Sequence, residues 1–116
     1  MSAPVCIKPF DVVEAQFVAY NDHDLDGHCA MFADDIVVAD LNGTVTIQGI
    51  AAYRAKYAQV FADFPQNKAE LLARIVLGNH VIDHERVQRV SGGETFEVAA
   101  IYTVSDAKIV RVDFVK

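Results

Sequence analysis

Pro65 divides this chain of 116 residues into two parts with different hydrophobic periods. Before it, apolar residues recur at the spacing of helix faces; after it, they alternate as strands do. Pro9 suits a first helical turn, Asp11 favours a helix N-terminus, and Val13, Phe17 and Tyr20 fall at i, i+4 and i+7. This predicts a helix over 9–21. Leu25, Cys29 and Phe32 repeat the spacing, giving a second helix from Asp24 to Phe32 with Asp24 as its N-cap. Residues 36–41 are β-rich, Asn42-Gly43 is a hairpin turn, and 44–47 return. Gly49 then releases a third helix whose stripe is Ile50, Tyr53, Tyr57, Phe61 and Phe64, and Pro65 ends it. Strands follow over 68–77, 80–90, 94–104 and 108–115. Helices and a hairpin gathered ahead of an antiparallel meander mean an α+β fold and exclude a doubly wound parallel sheet.

The length fits one domain over 1–116. With 53% hydrophobic residues the chain can fill a core, yet no apolar run approaches the roughly 18 residues of a membrane helix. Ten basic against sixteen acidic residues give a net charge of −6. That balance argues against nucleic acid and against anionic membranes as partners. The N-terminus lacks a basic start followed by a long apolar segment, and the two cysteines, Cys6 and Cys29, do not make a disulfide framework. A cytoplasmic protein with reduced thiols is the expectation.

The segment from Tyr20 to Asp40 carries the chemistry. A polar corner, Asn21-Asp22-His23-Asp24, ends the first helix, and the apolar run Ile36-Val37-Val38-Ala39 delivers the lone carboxylate of Asp40. Desolvation by such neighbours moves a carboxylate pKa upward. The plainer alternative is an Asp that ends a strand before a turn. Alternation sorts the last strands: Phe96, Val98, Ala100, Tyr102 and Val104 share one inner face, and Val110, Val112 and Phe114 another. The strand over 80–90 is ambiguous. Either Val81, Asp83, Glu85 and Val87 face inward, or Ile82 and Val90 do and the two acids face solvent.

The element order, with Asn21…Asp24-Leu25-Asp26-Gly27, Phe32-Ala33-Asp34-Asp35, Gly49 and the terminal Lys108-Ile109-Val110-Arg111-Val112 strand, resembles the NTF2-like superfamily. Within it the chain is most similar to SnoaL-like proteins and the ketosteroid-isomerase branch. The resemblance covers nearly the whole chain and implies a cone: three helices and a hairpin packed in a strongly curved antiparallel sheet. It turns the odd-numbered face of 80–90 inward, so that Asp83 and Glu85 join Asp40, which aligns with the proton-shuttling carboxylate of the isomerases. It implies a cavity lined by Phe17, Tyr20 and Phe32, by Tyr53, Tyr57 and Phe61, and by Val98, Ala100, Val112 and Phe114. It also implies a homodimer joined through the outer sheet face, where His84 and Arg86 point. Two isomerase donors are missing: Phe17 stands where the first helix carries a hydroxyl, and Ala100 where the sheet carries a protonated acid. Their loss removes several kcal/mol of oxyanion stabilisation and argues against steroid isomerisation itself. Tyr20, Tyr53, Tyr57 or Tyr102 could replace them.

Other signals dissolve on inspection. Asp22-His23-Asp24-Leu25-Asp26-Gly27 begins like a calcium loop, but its twelfth position is Ala33 in place of a bidentate Glu. His80 and His84 would sit roughly 13 Å apart on a strand, too far for one zinc ion. Cys29 reads as core. Neither metal nor cofactor is called for. The expected function is therefore cofactor-free acid–base chemistry on an apolar small molecule, such as isomerisation, cyclisation, dehydration or epoxide hydrolysis. Asp40 is its base, Asp83 and Glu85 are auxiliary carboxylates, and Tyr102 is a donor. The rivals are a non-catalytic ligand-binding module and a dimerisation domain whose cone is filled by Phe17, Phe32, Phe61 and Phe114.

Overall fold

The computed structural model describes residues 8–116, so Cys6 and the start of the chain lie outside the described residues. Its elements are α1 (Pro9–Asn21), α2 (Leu25–Cys29), β1 (Phe32–Asp40), β2 (Val45–Gln48), α3 (Ile50–Asp63), β3 (Lys68–Leu77), β4 (His80–Gln88), β5 (Thr95–Ser105) and β6 (Lys108–Val115). The α+β order expected from the periodicity holds, with each strand of the meander within two residues of its expected span.

One sheet contains all six strands in the order β2-β1-β6-β5-β4-β3. Every junction is antiparallel except β1 with β6, which run parallel. The hairpin thus extends the meander beyond its last strand. Register shifts at Val38/Ala39, Leu71/Ala73 and Thr103/Val104 insert bulges, and bulges bend strands and deepen their twist. The curved sheet receives α1 against β3 to β6 and α3 against β1 and β2. Val12, Val13, Ile36, Val38, Val81, Ile109 and Val112 are buried between these layers. Each contributes about 1.5–3 kcal/mol by leaving water. Among the described residues no helix is long and apolar enough to cross a membrane.

Two local expectations need correction. The second helix stops at Cys29 and Phe32 opens β1, because Ile109 N–H takes the Met31 carbonyl at 2.8 Å and starts the parallel pairing there. In β6 it is Ile109 that is fully buried, while Val110 is only half-buried. The bulge beside Val104 breaks the simple alternation at that point.

The polar corner is structural. Asn21 exchanges two hydrogen bonds with the backbone of Ala69, at 2.9 and 2.8 Å. His23 donates to the Asn67 carbonyl at 2.7 Å, Asp24 accepts from Gly27 N–H at 3.0 Å as the N-cap of α2, and Asp26 pairs with Arg54. The Asn21 and His23 bonds tie the end of α1 to the start of β3, and the Asp26–Arg54 pair ties α2 to α3. Gly49, at φ 88°, supplies the left-handed turn into α3 that other residues resist.

Candidate active site

Between the helices and the inner sheet face lies a cavity of about 370 Å³. A cone packed solid with phenylalanine is therefore not what the chain builds. The walls include Phe17 and Tyr20 from α1, Tyr53 and Tyr57 from α3, Val98 and Tyr102 from β5, and Val112 and Phe114 from β6, as expected. Three expected residues do not line it. Phe32 is buried against Tyr53 and His28, Phe61 stacks on His23 at 4.8 Å, and Ala100 lies beneath the wall. On α3 the helical register brings Val60 to the cavity in place of Phe61.

The ambiguity of β4 is resolved in favour of the odd-numbered face: Val81, Asp83, Glu85 and Val87 are buried. The two acids nevertheless have different surroundings. Asp83 is opposite Arg74 in the β3–β4 ladder. Arg74 grips it with both arms, Nε to Oδ1 at 2.6 Å and Nη2 to Oδ2 at 2.9 Å, while its Nη1 reaches Glu14 of α1 at 2.8 Å. Asp83 does not border the cavity. It is the buried half of a bidentate ion pair and lies off the cavity, so the structure gives it a structural place and not the auxiliary one expected.

Glu85, two residues on, has no such partner. It is 8% exposed and borders the cavity, and since its carboxyl has no hydrogen-bond partner among the described residues, its oxygens open on the cavity. Its ladder neighbours are Leu71 and Val98. Burial raises its pKa from 4.5 to about 7, the nearby Asp83 charge adds to the rise, and Arg74 offsets part of it.

Asp40 is not desolvated. It is exposed at the rim of the cavity, and its backbone closes the hairpin by pairing with Thr44 and Gly43. The strand carries its apolar run to Ala39 and emerges into water one residue later.

A hydrogen-bonded chain absent from the sequence expectations runs through the inner end of the cavity. His28, 1% exposed, donates from Nδ1 to the Gln16 carbonyl at 2.9 Å. Burial lowers its pKa to about 4, so the ring is neutral and its Nε2 accepts the Tyr53 hydroxyl proton at 2.7 Å. Gln16 Nε2 donates to the Tyr102 hydroxyl at 3.2 Å. Burial raises the Tyr102 pKa, as do the charges of Glu85 and Asp83, which keeps the phenol protonated. With its oxygen already accepting from Gln16, Tyr102 retains its own proton to donate. A His in a five-residue helix beside a Cys gives no sequence pattern by which this chain could be found.

Arg89, just past β4, also borders the cavity together with Lys56 and Lys116. Among the described residues no group of three or more His, Cys, Asp or Glu side chains is placed to hold a metal ion.

The model of the SnoaL-like domain family matches residues 13–112. Among solved structures, an uncharacterised cystatin-fold protein from Novosphingobium aromaticivorans is 31% identical, with a TM-score of 0.88 over 96% of this chain and 100% of that one. An NTF2-like protein of unknown function from Cytophaga hutchinsonii is 14% identical, with a TM-score of 0.79 over 97% and 93%. A proposed polyketide cyclase from Sinorhizobium meliloti is 24% identical, with a TM-score of 0.77 over 94% and 100%. The last two similarities establish the fold alone. No curated protein matches the chain in sequence.

Proposed function

Since this chain belongs to the SnoaL-like domain family on an NTF2-like fold, we propose that it is an acid–base enzyme acting on a largely apolar small molecule held in its cone. Glu85 is the group that moves the proton. The observation that carries this reading is the placement of Glu85: a buried residue whose carboxyl opens on the cavity and meets no hydrogen-bond donor among the described residues, so that burial pushes its pKa up to about 7. A base is most effective when its pKa lies near the working pH. The substrate this suits has a C–H made acidic by a neighbouring carbonyl, or a leaving oxygen that needs a proton. As Glu85 takes the proton from carbon, charge gathers on the carbonyl oxygen, and the Tyr102 hydroxyl, oriented by Gln16, donates to it. Isomerisation, cyclisation and dehydration all use this pair. Pairing of two copies through the outer face of the sheet belongs to the same proposal, as an expectation carried by the family resemblance.

The test is a carboxyl NMR titration with Glu85→Gln for assignment, followed by a screen of enones, 1,3-diketones and epoxides for proton exchange or turnover. A resonance near 7 that vanishes in Glu85→Gln, with activity lost in the same variant, is the expected result. Titration of Glu85 in the ordinary carboxylate range would sink the proposal. A larger loss in Asp40→Asn than in Glu85→Gln would return the base to the end of β1.

A further inference from the structure

Arg89 stands apart from the other arginines. Arg54, Arg74, Arg86 and Arg111 each pair with a carboxylate, whereas Arg89 meets none among the described residues. Neutral groups hold it instead. Its Nη1 donates to Asn67 Oδ1 at 2.9 Å and to the Tyr20 hydroxyl at 3.4 Å. Its guanidinium carbon lies 5.4 Å from the Phe64 ring centroid and 5.3 Å from that of Phe96. Asn67 is fully buried and its amide nitrogen is engaged by the Tyr20 hydroxyl at 2.7 Å, so the arm that fixes Arg89 is itself fixed. The donors on Nε and Nη2 find no acceptor among the described residues. They form one edge of a planar fork, the shape that receives a carboxylate through two parallel hydrogen bonds.

A half-buried guanidinium on a cavity wall, oriented by neutral partners and lacking a counter-ion, has the design of a site whose counter-ion arrives with the ligand. We propose that Arg89 anchors a carboxylate of the cavity's ligand, making that ligand an amphipathic acid whose apolar body fills the cone. The identity of its reacting end rests on the assignment of Glu85 above; the anchor itself does not. Lys56 and Lys116 border the same cavity, so three of the ten basic residues gather there against two of the sixteen acidic ones, Asp40 and Glu85. The net charge of −6 does not overrule this local excess, because the Debye length is about 8 Å at physiological ionic strength. A single oriented guanidinium suits a planar monoanion better than a phosphate dianion, since the two lysines are both exposed.

Glu85, Val87 and Arg89 all border the cavity, the first two from β4 and Arg89 from the bend that follows it.

Isothermal titration calorimetry on the full chain at neutral pH and low salt tests the anchor with matched probes: 2-naphthoate against 2-naphthamide, and 4-phenylbutyrate against 4-phenylbutyramide. In the unmodified protein each acid should bind about tenfold or more tightly than its amide, as expected for charge-assisted hydrogen bonds. Arg89→Gln should abolish that preference and Arg89→Lys should restore part of it. If Arg89→Gln fails to fold for want of its bond to Asn67, the comparison is made in Lys56→Gln/Lys116→Gln: a preference that persists there upholds the Arg89 anchor, and one that vanishes overturns it. Equal affinity of acid and amide would overturn the anchor while leaving the cavity reading intact. A preference that survives Arg89→Gln would overturn it in favour of the lysines. Binding by no member of either pair would overturn the anchor and the apolar-ligand reading together.

Discussion

Replacing Glu85 by Gln should make the protein more stable, and only where Glu85 would be charged. The folded-state pKa of about 7 against an ordinary value of 4.5 means that the native state holds a proton the unfolded chain releases over that interval. Stability therefore falls as pH rises from 4.5 to 7, by about 1.4 kcal/mol per unit and about 3 kcal/mol in all, and stays lowered above 7. His28 acts in the opposite direction. Its pKa falls from 6.5 to about 4 on folding, so the unfolded chain binds a proton that the native state refuses, and stability is lost as pH falls through that window. Between pH 4.5 and 6.5 the two slopes are nearly equal and opposite, and their joint contribution to the stability of the unmodified protein is nearly flat. In Glu85→Gln the His28 slope stands alone. The variant should match the unmodified protein near pH 4 and exceed it by about 3 kcal/mol at pH 8, roughly 10 °C in Tm. Urea unfolding followed by circular dichroism across this range measures the difference, and contributions from the other carboxylates cancel in it. A gap between the two proteins that does not change with pH would refute both the desolvated state of Glu85 and the choice of it as base.

Removing Arg74 should do the reverse: Arg74→Met leaves the Asp83 charge buried without a partner and should cost about 3–5 kcal/mol in urea unfolding, most of it recovered by adding Asp83→Asn. A loss below 1 kcal/mol would show that the pair is not the structural clamp described. Tyr53→Phe takes away the proton that His28 Nε2 accepts and should destabilise by about 1–3 kcal/mol in urea unfolding, while the His28 ring, read by NMR, keeps the Nδ1–H tautomer that the Gln16 carbonyl fixes. Binding of 2-naphthoate should weaken as pH rises through about 7, because an anion in the cavity disfavours charge on Glu85; a dissociation constant unchanged between pH 6 and 8 would separate the two sites.

Much of this was legible in the sequence where local chemistry and periodicity decide the outcome. Pro9, Asn42-Gly43, Gly49 and Pro65 set element boundaries because each imposes a backbone geometry irrespective of its surroundings. The inner face of β5 followed from alternation alone. What failed depended on long-range partners. Phe32 has helical spacing after Cys29, but Ile109, seventy-seven residues later, claims the neighbouring carbonyl and makes it a strand. Asp40 was promising because four apolar residues precede it, and periodicity does not reveal where a strand emerges into water. Arg74 could have been found. The two-residue turn Gly78-Asn79 pairs Leu77 with His80, and counting back from it puts Arg74 opposite Asp83. That count assigns one of the two inward acids to an ion pair and leaves Glu85 as the candidate.

The ladder also orders the three groups that would handle a ligand. Tyr102 is opposite Val81, Glu85 is opposite Val98, and Arg89 lies four residues beyond Glu85. Along β4 the sequence of levels is therefore hydroxyl donor, carboxyl, guanidinium. The first level is the closed end, where Gln16, His28, Tyr53 and Tyr102 are all buried; the last is near the rim, with Phe96 and Lys116 exposed. Tyr102 lies near enough to Glu85 for the carboxylate to raise its pKa. A ligand that satisfies all three enters with its carbonyl first, gives up its proton halfway along, and keeps its carboxylate at the mouth, where the charge stays partly hydrated. The reverse orientation would press a carboxylate against the tyrosines at the dry end with no cation to meet it, a desolvation of several kcal/mol. Polarity thus favours one direction of binding for the ligand proposed above, with the Tyr102 hydroxyl at the closed end the last of the three groups it would meet.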